Sequence, residues 1–212
     1  MKLRHPFLVC IFLFAASTEV YCENISSNSS DAVYRYFSNL NTFHANFRQQ
    51  VKDSKGEDIQ ESTGEVWLAK PGKFRWDYQL PFVQQVVANG KELWTYDPDL
   101  EQATVKTIDE ALSMSPAMLL SGAKKLDEVA SVKPIGITGK EYWFRLTPLN
   151  TNESIDAIEI AFLHQQLYAI RILDGFMNTT TITFSEQSLN QPLKDNHFSV
   201  QLPEGTDVLG SP

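Results

Sequence analysis

Cysteine is scarce in this 212-residue sequence and occurs only as Cys10 and Cys22. Both lie in an N-terminal stretch that begins with positive charges and continues with an apolar run over residues 6–17, which is short for a membrane span. We expect residues 1–22 to be a cleaved secretory signal, followed by a single folded domain over residues 23–212 with an ordered core over about residues 31–205. The exported chain then has no thiol, so disulfides and cysteine catalysis are excluded.

Two cleavage sites are possible for the signal segment. Cleavage after Ser17 and cleavage after Cys22 both fit a small-residue rule, and we favour the second. Lipid attachment to Cys22 is disfavoured because the bulky Tyr21 precedes it. No later run is apolar enough to cross a bilayer, so we expect a soluble product.

Positive charge is also in deficit, with 18 basic and 26 acidic residues and a net charge of -8. This balance argues against a nucleic-acid partner, which requires a basic surface. The sequence has no serine-nucleophile elbow, zinc-protease motif, phosphate-binding loop or paired-cysteine motif. His44, His164 and His197 have no metal-ligand spacing. We therefore expect no catalytic residue, no metal and no cofactor, and predict that the protein is not an enzyme.

Aromatic residues, in contrast, are plentiful: 13 Phe, 7 Tyr and 4 Trp. In the stretch LAKPGKFRWDYQL, Phe74, Trp76 and Tyr78 alternate with charged residues, which is typical of a half-buried strand. Turn residues separate many such runs, and Asn89-Gly90 is the strongest hairpin signal. After an initial strand that begins near residue 43 and the run STGEVWLAK, the predicted strands are 73–79, 83–88, 92–96, 101–106, 132–137, 141–147, 156–163, 167–173 and 178–185.

Helical signals occur in two places. Val33, Phe37 and Leu40 lie on one face of a helix for which Asp31 is the predicted N-cap. Residues 107–130 are rich in helix formers, are divided by Pro116 and end in a short helix at about 124–130. The predicted fold is α+β and mainly β: a single antiparallel, strongly curved, unclosed β-barrel with a lid of short helices over a hydrophobic cavity.

The aromatic residues of such a half-barrel have two roles open to them. They pack as core, or they line a ligand cavity inside the curved sheet. For any single aromatic residue, a place in the core is the favoured interpretation. For the aromatic residues taken together, a ligand cavity beneath the helices is at least as good an interpretation. Met114 and Met118 add adaptable apolar surface to the helical segment. In the later strands, Tyr168, Ile170 and Ile172 alternate and are predicted to share one face.

Three stretches together resemble the LolA family of outer-membrane lipoprotein carrier proteins. They are GEVWLAKPGKFRWDYQLP, VANGKELWTYDPDLEQAT and SPAMLL, and the block from Trp94 to Thr104 is the most specific. The resemblance implies a periplasmic chaperone with an unclosed barrel and a helical lid. It implies that lipoproteins are taken from an ABC transporter of the inner membrane and passed to the outer-membrane receptor LolB. A monomer suffices for such a role.

The resemblance also implies roles for single residues. The family has an arginine before the proline of the turn that here reads Lys70-Pro71-Gly72, where it helps to hold the lid shut in the empty protein; here that residue is Lys70. A lysine is a point charge without the planar fork of arginine, so we expect closure to be weaker, or shared with Arg75. The implied acyl-chain site is formed by Phe37, Phe47, Phe74, Trp76, Val86, Met118, Leu119 and Leu120.

Other functions remain as alternatives. A lipid-binding module of the same architecture is the first, either a LolB-like receptor or a periplasmic regulator that senses lipoproteins. A LolB-like receptor should carry an acylated cysteine, and Cys22 lacks the sequence context for one. An enzyme acting on lipids is the alternative from another class, and the missing nucleophile motif argues against it.

Overall fold

In a computed structural model of the chain, the described residues are 29–108, 120–149, 155–175 and 177–210, with the side chains of 155–157 left out. The predicted signal segment lies outside these residues. So do residues 109–119, which belong to the middle of the predicted helical insertion and include Met118 and Leu119.

The described strands form one sheet of twelve strands. They are β1 (Thr42–Lys52), β2 (Asp58–Ala69), β3 (Lys73–Leu80), β4 (Gln84–Asn89), β5 (Glu92–Asp97), β6 (Gln102–Thr107), β7 (Ala130–Thr138), β8 (Glu141–Pro148), β9 (Ile155–Leu163), β10 (Gln166–Asp174), β11 (Thr179–Leu189) and β12 (Asp207–Leu209). Their order in the sheet is β12-β6-β5-β4-β3-β2-β1-β11-β10-β9-β8-β7. All neighbours are antiparallel except β12, which runs parallel to β6.

The sheet consists of two meanders that meet where β1 pairs with β11. Within the described part of the chain, β7 and β12 are the two edges, so the sheet does not close on itself. One hydrophobic core nevertheless includes Val66 and Phe74 from one half and Phe144 and Ile158 from the other. Strands this far apart in the order share a core only because the sheet curves around it. The predicted single, curved, unclosed and mainly antiparallel sheet is therefore confirmed.

Helix α1 (Ser30–Asn39) begins earlier than predicted. Its N-cap is Ser29, whose hydroxyl oxygen accepts a hydrogen bond from the backbone N–H of Asp31 at 3.3 Å. The prediction of Asp31 as the N-cap was wrong: Asp31 lies in the first turn, where its charge favours the positive end of the helix dipole. The Ser30 hydroxyl donates to the carbonyl of Val132 in β7 at 2.8 Å, so α1 is fixed to an edge strand of the sheet.

A second short helix, α2 (Leu126–Val129), matches the helix expected at the end of the insertion. It precedes β7 directly, and its Leu126 is buried in the same core as Phe37 of α1. The two described helices therefore lie on the side of the sheet that carries the core. None of the helices in the described residues is long and apolar enough to span a membrane.

Strand β10 contains an irregularity that the alternation did not predict. Its register against β9 shifts between Leu167 and Ala169. Because of this bulge, Leu167 and Ile170 both lie in the main core, whereas Tyr168 packs against Trp143 in a separate small cluster. The prediction that Tyr168 shares a face with Ile170 was wrong.

The C-terminal residues cover the outer face of β3 and β4. A single turn of 3-10 helix (Asp195–Phe198) packs there, and Phe198 is buried. Lys73 of β3 forms an ion pair with Asp195 at 3.1 Å. The opposite, concave face of β3 carries the core residues Phe74 and Trp76.

Candidate functional site

Strand β3 presents apolar side chains to the core and charged ones to the outside. Phe74 is 2% exposed and Trp76 is 5% exposed, and both belong to the main core. Across the sheet, Trp76 lies between Val66 of β2 and Val86 of β4. This arrangement follows from the period of two in the sequence, because successive side chains of a strand point to opposite faces.

Four aromatic side chains from β1, β3 and β11 contact one another, and we call them the aromatic group: Phe47, Trp76, Tyr78 and Phe184. The ring centre of Phe47 lies 5.0 Å from that of Trp76 and 5.2 Å from that of Tyr78. The ring centre of Phe184 lies 6.4 Å from that of Trp76. Tilted and edge-to-face contacts at these distances add to the stability gained from burial.

The aromatic group changes from apolar to polar along the strands. The Tyr78 hydroxyl donates to the side-chain oxygen of Gln49 at 3.2 Å. Burial raises the pKa of Tyr78, and the hydrogen bond with Gln49 opposes this shift in part. Next to Tyr78, the indole nitrogen of Trp76 is buried and has no hydrogen-bond partner among the described residues.

The turn between β2 and β3 holds two segments above this surface. The ammonium group of Lys70 donates a hydrogen bond to the carbonyl oxygen of Phe37, in the last turn of α1. The backbone N–H of Gly72 donates to the carbonyl of Ser121 at 3.0 Å. We call α1 and residues 120–122 the roof, because both are bonded to this one turn. The carbonyls of a last helical turn lack helical partners, so a cation is favoured there.

The Lys70 stem lies directly against Gly122 of the roof. A Cβ atom at Gly122 would come closer than 3.0 Å to three carbons of the Lys70 side chain, and Gly122 has a φ of +60°. Glycine therefore meets two requirements here, a left-handed backbone and room for the lysine. Burial lowers the pKa of Lys70, which is half-buried between the turn and the roof.

Arg75 takes no part in holding the roof, which contradicts the expectation that it shares this role with Lys70. It points to the outer face, where its Nε donates to Asp77 at 2.7 Å. One of its terminal nitrogens also lies 3.4 Å from the carbonyl oxygen of His197. Burial raises the pKa of Asp77, and the hydrogen bond from Arg75 opposes this shift. Arg75 therefore fixes the C-terminal segment to the sheet.

Comparison with known proteins identifies the family. Residues 38–201 match the family model described as "Outer membrane lipoprotein carrier protein LolA". A protein of Methylobacillus flagellatus named "Outer-membrane lipoprotein carrier protein" is 33% identical over 88% of this chain and 91% of its own. This chain belongs to the LolA family. A protein of the same name from Nitrosospira multiformis is 31% identical over 99% of both chains.

A solved structure agrees with the fold of this LolA-family chain. An uncharacterized conserved protein from Thermus thermophilus superposes with a TM-score of 0.54 over 84% of this chain and 96% of its own. The two sequences are 14% identical, so the likeness concerns the fold alone. The described sheet of the LolA-family chain is thus an architecture found in a solved protein.

In this LolA-family chain, the predicted site residues that the structure describes lie close together. Phe37, Phe47, Phe74, Trp76 and Leu120 all belong to the main core and are at most 5% exposed. Val86 is partly buried and packs against the edge of that core. Two predicted members, Met118 and Leu119, lie outside the described residues.

Sequence reasoning missed three members of this surface and its roof. Phe184 alternates with Ile182 in β11, so its inward position was readable from the sequence. Ser121 accepts a hydrogen bond from the backbone of the turn, and Gly122 leaves room for the Lys70 side chain. Of these two residues, only Gly122 could have been recognised in the sequence, because glycine often follows the last turn of a helix.

Proposed function

We propose that this chain is a periplasmic carrier of acylated lipoproteins. It accepts lipoproteins released from the inner membrane by an ABC transporter, shields their acyl chains in an apolar site and delivers them to the outer-membrane receptor LolB. The proposed site is formed by the predicted residues Phe37, Phe47, Phe74, Trp76, Val86, Met118, Leu119 and Leu120. The chain works as a monomer and catalyses no reaction.

The roof is the observation that supports this proposal best. Phe37 of α1 and Leu120 pack in the same core as Phe74 and Trp76, and one turn, Lys70 to Gly72, is bonded to both segments of the roof. Helix α1 is also bonded to β7 through Ser30, so the turn at Lys70 is the point at which both segments are held to the same hairpin. A carrier needs such a releasable contact, because its apolar surface must be closed when empty and available when loaded. Lys70 is therefore the proposed latch of the roof.

The energies fit a reversible carrier. An acyl chain in water costs about 0.8 kcal/mol per methylene, or on the order of 12 kcal/mol for a chain of about 15. Opening the roof breaks hydrogen bonds that contribute about 0.5 to 3 kcal/mol each and uncovers part of the apolar surface. Roof and cargo compete for the same side chains, so roof closure favours release. We expect the receptor to offer a more accessible apolar site that draws the cargo onward.

A release assay tests the proposal. Inner-membrane vesicles containing the ABC transporter and a radiolabelled lipoprotein are incubated with ATP and the mature protein, and the supernatant is collected after centrifugation. We expect the lipoprotein to appear in the supernatant in a complex with the protein. If release does not exceed that obtained with an unrelated periplasmic protein, the carrier function is refuted.

A second stage tests delivery and the absence of catalysis. The soluble complex is mixed with outer-membrane vesicles that contain or lack LolB, and transfer is expected only with LolB. The lipids are then extracted and examined for free fatty acid. Hydrolysis of the acyl esters would show a lipid-acting enzyme instead of a carrier.

A further inference from the structure

The indole N–H of Trp76 is a buried donor without an acceptor. Its nitrogen is shielded from solvent and has no partner in the parts of the chain that the structure describes. The surrounding side chains are apolar: Val66 and Val86 on the flanking strands and Phe47 and Phe184 in the aromatic group. None of these four side chains carries an oxygen or nitrogen that could accept the proton.

Several other aromatic residues of this chain satisfy their polar atoms, and among the buried aromatic polar atoms of the described residues only the Tyr36 hydroxyl shares the lack of a partner. The indole nitrogens of Trp94 and Trp143 donate to Glu92 at 3.0 Å and to Glu141 at 2.9 Å. Tyr78, the neighbour of Trp76 in the aromatic group, reaches Gln49. Buried tryptophans usually find a partner, and leaving a donor unpaired in an apolar environment destabilises a protein. The unpaired donor at Trp76 lies among the residues of the proposed acyl-chain site, and it therefore calls for an explanation by ligand binding.

We propose that the Trp76 N–H donates a hydrogen bond to the ester carbonyl of a bound acyl chain, so that the site selects acyl esters over plain alkyl chains. This inference rests on the proposed carrier function. An indole N–H only donates, so its partner must be an acceptor. Hydrocarbon tails offer none, whereas the ester carbonyl at the head of each tail does.

The polarity of the strands gives the bound chain an orientation. Along β3 the inward side chains run from Phe74 through Trp76 to Tyr78, and only Tyr78 has a polar partner, in Gln49. An ester at Trp76 therefore lies between an apolar end, beneath the roof, and a polar end. The tail extends toward Phe74 and Phe37, and the glycerol head points toward Tyr78.

The experiment compares two synthetic peptides that differ only in the linkage of their tails. One carries S-dioctanoylglyceryl-cysteine with ester-linked tails, and the other carries its dioctyl ether twin. Both are radiolabelled and kept below their micelle concentrations, and binding is measured by equilibrium dialysis. We expect the wild-type protein to bind the ester about tenfold more tightly than the ether, the value of one well-formed buried hydrogen bond.

Substitution of Trp76 assigns that preference to the indole N–H. Trp76→Phe is expected to bind both peptides with equal affinity. Benzothienylalanine at position 76 keeps the ring shape, replaces the N–H by sulfur and should give the same loss of preference. Trp143→Phe is the matched control, because Trp143 donates to Glu141 and packs in the separate cluster, and it should keep the tenfold preference.

Two results overturn the inference alone: equal binding of ester and ether by the wild-type protein, or an ester preference that survives in both position-76 variants. If the wild-type protein binds neither peptide, the proposed carrier function fails together with the inference.

Discussion

The ammonium group of Lys70 and the carbonyl oxygen of Phe37 are joined by a hydrogen bond that connects the turn between β2 and β3 to the end of α1. The two residues are 33 positions apart in the sequence. The contact is charge-assisted and lies at the negative end of the helix dipole, and both features strengthen it. Together with the bond from Gly72 to Ser121, it connects both parts of the roof to one turn.

Replacing Lys70 by leucine should separate loading from unloading. Lys70→Leu keeps an apolar stem beside Gly122 but loses the hydrogen bond to Phe37, which weakens closure by about 1 to 3 kcal/mol. Roof closure then competes less with the cargo. We expect normal release of lipoprotein from inner-membrane vesicles and about tenfold slower transfer to LolB vesicles.

Lys73→Leu is the control for this variant. Lys73 pairs with Asp195 on the outer face, so the substitution removes the same charge without touching the roof. Its transfer rate should match that of the wild-type protein. Unchanged transfer by Lys70→Leu would show that the Lys70 contact has no part in unloading.

A methyl group at Gly122 should disturb the same contact from the other side. Gly122→Ala brings a Cβ into the space of the Lys70 stem and also strains a backbone with a φ of +60°. The strain alone costs about 1 to 2 kcal/mol. We expect an additional loss of stability from the displaced lysine, and greater fluorescence of an apolar dye that binds exposed core surface.

Gly139→Ala isolates the contribution of the lysine. Gly139 has a φ of +62°, and a Cβ there would meet nothing within 4 Å. This variant carries the backbone strain without the clash. If both variants lose equal stability in urea unfolding and bind the dye equally, Gly122 does not support the roof through Lys70.

Local sequence patterns predicted the strands well and the roof contacts poorly. The alternation of Phe74 and Trp76 gives their inward position directly, because a strand has a strict period of two. The same rule places Arg75 on the outer face, so the expectation that it supports Lys70 conflicted with the pattern itself. The bond from Lys70 to Phe37 joins distant segments, and no local pattern contains it.

Two wrong predictions, the N-cap of α1 and the face of Tyr168, have tertiary causes. Ser29, Ser30 and Asp31 are all capable helix caps, and the bond from Ser30 to Val132 in β7 accompanies the choice of the earliest one. At Tyr168, the sequence alternates without a break, yet the pairing of β10 with β9 contains a bulge. Both outcomes depend on a partner strand that the local sequence does not specify.

The raised pKa of Tyr36 in α1 leads us to predict a loss of stability at alkaline pH. Its ring packs edge-on against Phe37 and Phe162, and burial raises its pKa from 10.0 to about 12, partly opposed by the backbone of Leu167. Between these two pH values the unfolded chain has lost the proton and the folded chain keeps it. The unfolded state then binds fewer protons, so the free energy of unfolding decreases as pH rises, by up to about 1.4 kcal/mol per pH unit.

Tyr36→Phe should remove this contribution. Urea unfolding of both proteins at several pH values between about 9 and 12 should give a shallower decline for the variant. Some decline remains, because burial also raises the pKa of Tyr78. Parallel curves for the two proteins would mean that Tyr36 titrates equally in the folded and unfolded states.

Filling the edge of the proposed site should block cargo without unfolding the protein. Val86 is partly buried beside the core and lies opposite Trp76 on the neighbouring strand. Val86→Trp adds an indole where the side chain still has access to solvent, so overpacking is relieved outward and the midpoint of thermal unfolding should change by only a few degrees. The bulk occupies space that acyl chains need, and we expect several-fold less lipoprotein released from inner-membrane vesicles.

Val83→Trp is the matched variant, because Val83 is 45% exposed and lies in the loop before β4, away from the core. It should release lipoprotein as the wild-type protein does. Equal release by the two variants, with both folded, would place the acyl chains elsewhere than against Trp76 and Val86. Reduced release by Val86→Trp alone would connect the edge of the buried core to the cargo.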